Sequence, residues 1–290
     1  MRVGVLIMPD DRWATAAGRW RRAERLGFDH AWTYDHLAWR SLRDATWFGA
    51  VPTLAAAAAV TSTIRLGTLV ASPTFRHPVP FARELISLDD ISDGRITLGI
   101  GSGGLGFDTT ILGEPPWSPG ERAARFAEFV DMLDRLLREP EVSYDGRWWR
   151  ADEARTYPGC VQRPRLPFAV AATRPRGMRV VARHGDVWVT NGDRDHTGPA
   201  LGPEAGAAVV ARQWAELADI CAAEGRDPGT LDRLVLAGPR LDECLASPAA
   251  FREAVDAYGA VGVTDLVVHW PRATEPYQGD EAILERLDWR

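Results

Sequence analysis

Short apolar runs and amphipathic stretches take turns along almost the whole chain. Residues 3–8 (VGVLIM) are a short run rich in β-formers, which predicts a strand. Residues 13–26 then set Trp13, Ala17, Trp20, Ala23 and Leu26 on the inner side of a helix, and Gly27 stops it. A second strand is expected at 30–33 and an alanine-rich helix at 48–60. Residues 65–70 (RLGTLV) read as a strand buried on both faces and ended by Pro73. Pro78 suits the first turn of a helix, and Phe81, Leu85 and Leu88 give that helix one apolar face. Residues 92–95 (SDGR) supply a turn into the strand 96–100, which leaves through Gly101-Ser102-Gly103-Gly104, where a backbone could approach a ligand closely.

A longer amphipathic helix is expected at 119–137, after which the periodicity fades. Pro140, Pro158, Pro164 and Pro167 interrupt residues 138–167, which predicts an insertion or long loop after the fourth strand. The alternation resumes with strands at 168–171, 186–190, 234–236 and 266–269 and helices at 175–184, 207–224, 248–260 and 281–287. Eight alternations in this length predict an α/β fold, a (β/α)8 TIM barrel forming one domain over residues 1–290. An open doubly wound sheet is the alternative. It fits less well, because the first strand-to-helix turn, Pro9-Asp10-Asp11, has no glycine fingerprint for a dinucleotide.

Composition narrows the function classes. With 290 residues, 46% hydrophobic and 26% charged, the chain is expected to be a soluble globular protein. The opening apolar run is too short for a signal-peptide core, and no run approaches the roughly 20 residues of a membrane span, so a cytoplasmic location without membrane contact is expected. Cys160, Cys221 and Cys244 are odd in number and far apart, which favours small buried residues over a disulfide framework or a zinc site. A net charge of −6 argues against a nucleic-acid partner. All 34 basic residues are arginine. Lysine chemistry is therefore excluded, and any anionic ligand must be held by arginine, hydroxyl or backbone N–H groups.

In a barrel, chemistry sits at the carboxyl ends of the strands. Those ends carry Asp35 and His36, then Leu69, Val70, Ser72 and Thr74, then Ser102 and its glycines, then Thr173, Thr190, Asn191 and His269. The helix start at Pro175 offers a second kind of site, since unpaired N–H groups and the positive dipole end attract anions. There Gly177 and Met178 would donate amides, while Arg174 and Arg176 would pair with a phosphate or an acidic chain. No His, Asp or Glu cluster has metal-ligand spacing, so no metal is expected and a metal-dependent hydrolase is disfavoured.

Three stretches together resemble the bacterial luciferase-like oxidoreductases, which use flavin or the deazaflavin coenzyme F420. They are Gly67-Thr68-Leu69-Val70 leading to Phe75-Arg76-His77-Pro78, Leu88-Asp89 with Ser92-Asp93-Gly94-Arg95, and Leu98-Gly99-Ile100-Gly101-Ser102-Gly103. Residues 27–37 (GFDHAWTYDHL) are similar to the family's second-strand motif, and residues 169–178 to its fifth strand and phosphate-receiving helix start. The resemblance implies a bulge near Leu69 and Val70, often with a non-prolyl cis peptide, pressed against the ring. It implies a cofactor site of Leu69, Val70, Ala71, Ser102, Gly103, Thr173, Arg174, Arg176, Gly177 and Met178. His36 and Asp35, with His269, become the expected catalytic groups, although Asp35 taken alone could equally cap the next helix. The family's sugar-phosphate branch carries a glutamate where this chain has Gly104, which puts such a substrate in doubt and leaves Asp108 as a carboxyl that could take over. The expected function is hydride transfer between F420, favoured over FMN, and a small organic substrate, in a homodimer. The alternatives are an FMN-dependent monooxygenase and a non-catalytic flavin binder of the same fold.

Overall fold

The computed structural model describes residues 1–104, 106–238 and 240–289. Eight parallel strands close into a barrel: β1 (Arg2–Leu6), β2 (His30–Thr33), β3 (Arg65–Ala71), β4 (Ile96–Gly101), β7 (Phe168–Ala171), β8 (Val187–Thr190), β9 (Asp232–Leu236) and β10 (Asp265–His269). Closure is made by β1, which pairs with β2 on one side and β10 on the other. Helices α1 (Trp13–Leu26), α2 (Ala50–Val60), α3 (Pro78–Ile91), α5 (Pro119–Arg138), α6 (Pro175–His184), α7 (Pro203–Ala223) and α8 (Pro248–Ala260) connect successive strands, with a short α4 (Phe107–Thr110) between β4 and α5. The apolar residues fall into two shells. One lies between sheet and helices and includes Trp20, Phe81, Phe129 and Phe251; the other fills the barrel and includes Leu6, Trp32, Leu69 and Leu234.

Four expectations change. Within the predicted insertion, β5 (Glu141–Asp145) and β6 (Arg150–Arg155) pair as an antiparallel hairpin. Only Val142 of these strands is fully buried, so the segment lacks the apolar alternation that would have revealed it. The closing segment is a 3₁₀ turn over Glu281–Arg286 that buries Ile283 and Leu284. Trp13 is exposed, and Ala16 lies buried beside Ala17 on the inner face of α1. The seventh helix also starts earlier than expected, at Pro203. Gly206 sits inside it because a Cβ there would lie 2.5 Å from the Tyr258 hydroxyl.

The barrel interior is filled from β2. His30 and Trp32 both point inward, and each faces a glycine on a neighbouring strand. A Cβ on Gly4 would lie 1.9 Å from His30 Nδ1, and one on Gly67 would lie 2.5 Å from the Trp32 ring. Trp32 Nε1 donates to His30 Nδ1 at 2.6 Å, so the other imidazole nitrogen carries the proton and donates to Asp265 at 3.0 Å. Asp265 also accepts two bonds from Arg2 at 2.7 Å and one from the Thr264 hydroxyl at 2.5 Å. Burial alone would push the Asp265 carboxyl up, but the bonds from Arg2, His30 and Thr264 outweigh it and hold the group well below the ordinary carboxylate range. Its charge thereby ties β1, β2 and β10 together at the floor of the barrel.

No helix among the described residues is long and apolar enough to cross a membrane. Cys160, Cys221 and Cys244 are free and buried, and burial pushes the Cys244 thiol up to about 12.

Because the folded pKa of Asp265 is depressed, its stabilisation is fully present above the ordinary aspartate value and is lost as pH falls through the folded value. Asp265→Asn is therefore expected to unfold at a lower temperature at pH 7. Thermal scans from pH 7 to pH 2 should show the two proteins converging toward acid; a constant gap would rule out the charge as the stabilising element.

Candidate functional site

A cavity of about 730 Å³ opens at the carboxyl ends of the strands. Its floor is made at β3, where the register against β4 shifts between Thr68 and Ala71 and the Leu69–Val70 peptide is cis. The neighbouring strand makes room for this bulge. A Cβ on Gly99 would lie 1.9 Å from the Thr68 carbonyl oxygen, and one on Gly101 would lie 3.0 Å from Val70 Cγ2. Leu69 and Val70 line the cavity with Val189 and Leu236, which gives a smooth apolar surface. Trp39 extends it, with Trp47 stacked behind at 6.2 Å and Tyr34 at 5.3 Å. Trp32 lies deeper, in the barrel core, and belongs to no wall of the cavity.

At one edge of the floor stands His36, at the end of β2. Its Nδ1 lies 2.5 Å from Asp108 Oδ2, and the other Asp108 oxygen accepts the Leu37 N–H at 2.6 Å. A carboxylate that collects backbone N–H donors acts as an acceptor, so the imidazole proton sits on Nδ1. Nε2 has no partner among the described residues, and both side chains line the cavity. The pair can therefore take up or release a proton there.

The opposite end of the cavity is cationic. Arg122, Arg174, Arg176, Arg179 and Arg194 line it, in a chain whose net charge is −6. Arg122, on α5, is 3% exposed; its guanidinium donates to the Trp117 carbonyl, but its Nε has no partner among the described residues. Burial, with Arg194 nearby, lowers its pKa, as expected of a cation lacking its anion. Helix α6 begins here with Pro175, and its first closed bond runs from the Met178 N–H to the Arg174 carbonyl. The amides of Arg176 and Gly177 precede that bond and stay available.

The predicted site residues divide. His36, Leu69, Val70, Ser102, Gly103, Thr173, Arg174, Arg176 and Gly177 all line the one cavity. Asp35, Ala71, Met178 and His269 do not. Asp35 is buried in a two-bond pair with Arg76, at 2.9 and 2.8 Å, which makes it a structural anchor for the loop after β3. Ala71 is wholly buried because the bulge turns Val70 to the cavity in its place. The Met178 amide is consumed within the helix and its side chain is core. His269 is 1% exposed and covered by Tyr277, whose ring stacks on it at 3.5 Å. It accepts from the Tyr34 hydroxyl at 2.7 Å through Nε2, while Nδ1 lies 2.9 Å from Glu243. Burial pushes the Tyr34 phenol well up, so it remains a donor, and His269 reaches the cavity wall through Tyr34 rather than directly. His77 accepts the Val79 N–H at the start of α3 and meets Trp149 edge-on.

Reasoning from sequence reached Asp108 only as a substitute acid and missed Arg122. Arg122 lies in a stretch, ERAARF, that reads as a solvated helix face, and no local signal marks it as buried. Among the described residues no three His, Cys, Asp or Glu side chains are grouped to hold a metal ion.

A family model described as luciferase-like monooxygenase matches residues 1–259. The chain is 38% identical over 172 residues to an F420-dependent glucose-6-phosphate dehydrogenase of Beutenbergia cavernae, covering 58% of this chain and 49% of that one. It is 32% identical over 220 residues to a 4-hydroxyprotoasukamycin monooxygenase of Streptomyces nodosus subsp. asukaensis, covering 72% and 53%. The chain thus spans about half the length of each of these relatives. In structure it is similar to the F420-dependent tetrahydromethanopterin reductase of Methanopyrus kandleri, with a TM-score of 0.76, 19% identity, and coverage of 98% and 96%, a likeness of fold.

Removing one partner of the Asp35–Arg76 pair leaves a buried charge uncompensated, which costs about 3–5 kcal/mol. Arg76→Met is expected to lose stability on that scale in urea unfolding. A loss within experimental error would show that the pair is not a structural anchor of the loop after β3.

Proposed function

Since the chain belongs to the luciferase-like monooxygenase family, we propose that it is an oxidoreductase moving hydride between F420 and a small organic substrate. The observation that carries this reading is one cavity with an apolar floor at one end and a cluster of arginines at the other, among them the buried Arg122 with an unpartnered Nε. A flat ring bearing an anionic chain matches both ends. Leu69 and Val70 would support the ring face, and Ser102 and Gly103 would flank it. The Arg176 and Gly177 amides with Arg122 would hold the phosphate. F420 or FMN, when bound, supplies the two-electron chemistry.

The remaining tasks belong to the chain's own residues. His36 moves the substrate proton through Nε2, and Asp108 fixes the tautomer that leaves Nε2 free. Trp39, backed by Trp47, excludes water from that edge. His269 and Glu243 hold Tyr34, and with it one wall of the substrate space. The preference for F420 over FMN rests on the cationic end, which holds more arginines than a single phosphate needs. Relatives named as F420-dependent dehydrogenases and as monooxygenases both support the broader class.

Paired fluorescence titrations of the apoprotein with F420 and FMN, at one pH and salt, test the cofactor. Tight F420 binding beside weak FMN binding is the expected result; the reverse would move the reaction to oxygen-consuming chemistry, and micromolar binding of neither would refute the proposal. His36→Ala and Asp108→Asn are expected to lower turnover by about 10²- to 10⁴-fold while leaving the cofactor Kd within about threefold. Unchanged turnover in either would remove that residue from the mechanism.

A further inference from the structure

We infer that the groove between α5 and α6 is a docking site for the oligoglutamyl tail of F420, an inference that rests on the cofactor reading above. The groove has a volume of about 520 Å³ and lies outside the barrel, against the β5–β6 hairpin. It is continuous with the main cavity, because Ala123, Arg176 and Arg179 line both. A ligand chain leaving the start of α6 therefore has a path down the side of that helix.

Along the α6 wall of the groove the charge is one-sided. Arg176, Arg179 and Arg183 recur at i, i+3 and i+7 on α6, so they share one face over a rise of about 10 Å. Arg176 and Arg179 pair with no carboxylate among the described residues, while Arg183 is held at the far end by Glu224 at 2.8 Å. The acids of the facing wall are committed elsewhere. Glu128 accepts the Trp148 and Trp149 N–H groups at 2.8 and 2.9 Å, and Asp131 accepts the Tyr144 hydroxyl at 3.1 Å. These bonds hold the two carboxylates toward the β5–β6 hairpin, while Arg176 and Arg179, on the α6 side, make no ion pair among the described residues.

This arrangement separates the two candidate cofactors by chemistry. FMN ends at its phosphate, whereas F420 continues through a lactyl group into linked glutamates, each adding a carboxylate. A stripe of arginines beyond the phosphate end has a use for the second kind of chain and none for the first. Each exposed pair is worth at most a factor of about five in affinity, so the effect should accumulate along the tail and fade with salt.

The test is a set of fluorescence titrations with F420 carrying five or six glutamates, with the form ending at the lactyl group, and with FMN. They are run on the wild-type chain, on Arg179→Gln, and on Ala127→Glu, which sets a negative charge on the exposed α5 wall. The readout is the affinity ratio of tailed to tail-less F420. About a tenfold ratio at low salt is expected in the wild type, reduced at ~0.5 M salt and to about twofold or less in both variants. A wild-type ratio near one would overturn the inference. A large ratio untouched by both variants would also overturn it, by placing the tail elsewhere. Binding of neither F420 form would instead defeat the cofactor reading itself, and the groove assignment with it.

Discussion

Eight strands can close only if the space they enclose is filled to the density of a protein interior. Here the filling comes from β2, whose His30 and Trp32 occupy the lower barrel, and the neighbouring strands yield by carrying Gly4 and Gly67 where side chains would collide. The imidazole and indole are polar, so their burial requires partners, and a chain of bonds from Trp32 through His30 to Asp265 and Arg2 supplies them. The floor of the barrel is therefore a satisfied polar network that fixes the register of β1, β2 and β10.

The mouth follows from the same constraint with the opposite outcome. Above Trp32 the interior holds Leu69, Leu234 and Leu236, and the β3 bulge turns the backbone so that Leu69 and Val70 both face the cavity. Gly99 and Gly101 on β4 repeat the concession that Gly4 and Gly67 make below. Small residues thus occur next to each intruding group, in the floor to seat a ring pair and in the mouth to seat a bulge.

Two histidines meet two carboxylates at this end of the barrel, and burial separates their roles. His269 with Glu243 is sealed beneath Tyr277 and bonds to Tyr34, which lines the cavity. His36 with Asp108 is partly open, and Nε2 has no partner among the described residues. The cationic end balances this pair across the floor. Its arginines are crowded, and the most buried of them, Arg122, has an Nε with no partner, a cost that an anionic ligand would relieve.

The alternation of strand and helix, the positions of the strand ends and most of the cavity lining were legible in the sequence, because periodicity and turn chemistry are properties of neighbours along the chain. The resemblance to the luciferase-like family added the bulge at Leu69 and Val70. The hairpin at 141–155 escaped because its polar strands carry almost no alternation. What only the tertiary structure decided was partnership. Asp35 and Arg76 are 41 residues apart, and His36 and Asp108 are 72 apart. Asp35 and His36 are adjacent in the chain, yet one became a buried anchor and the other stands partly open at the cavity edge. That division depends on which loop lies over each strand end once the barrel has closed, and no local pattern encodes it. The burial of Arg122 and the enclosure of His269 have the same origin: charge and shape bring distant segments together, and the sequence specifies them only through the completed fold.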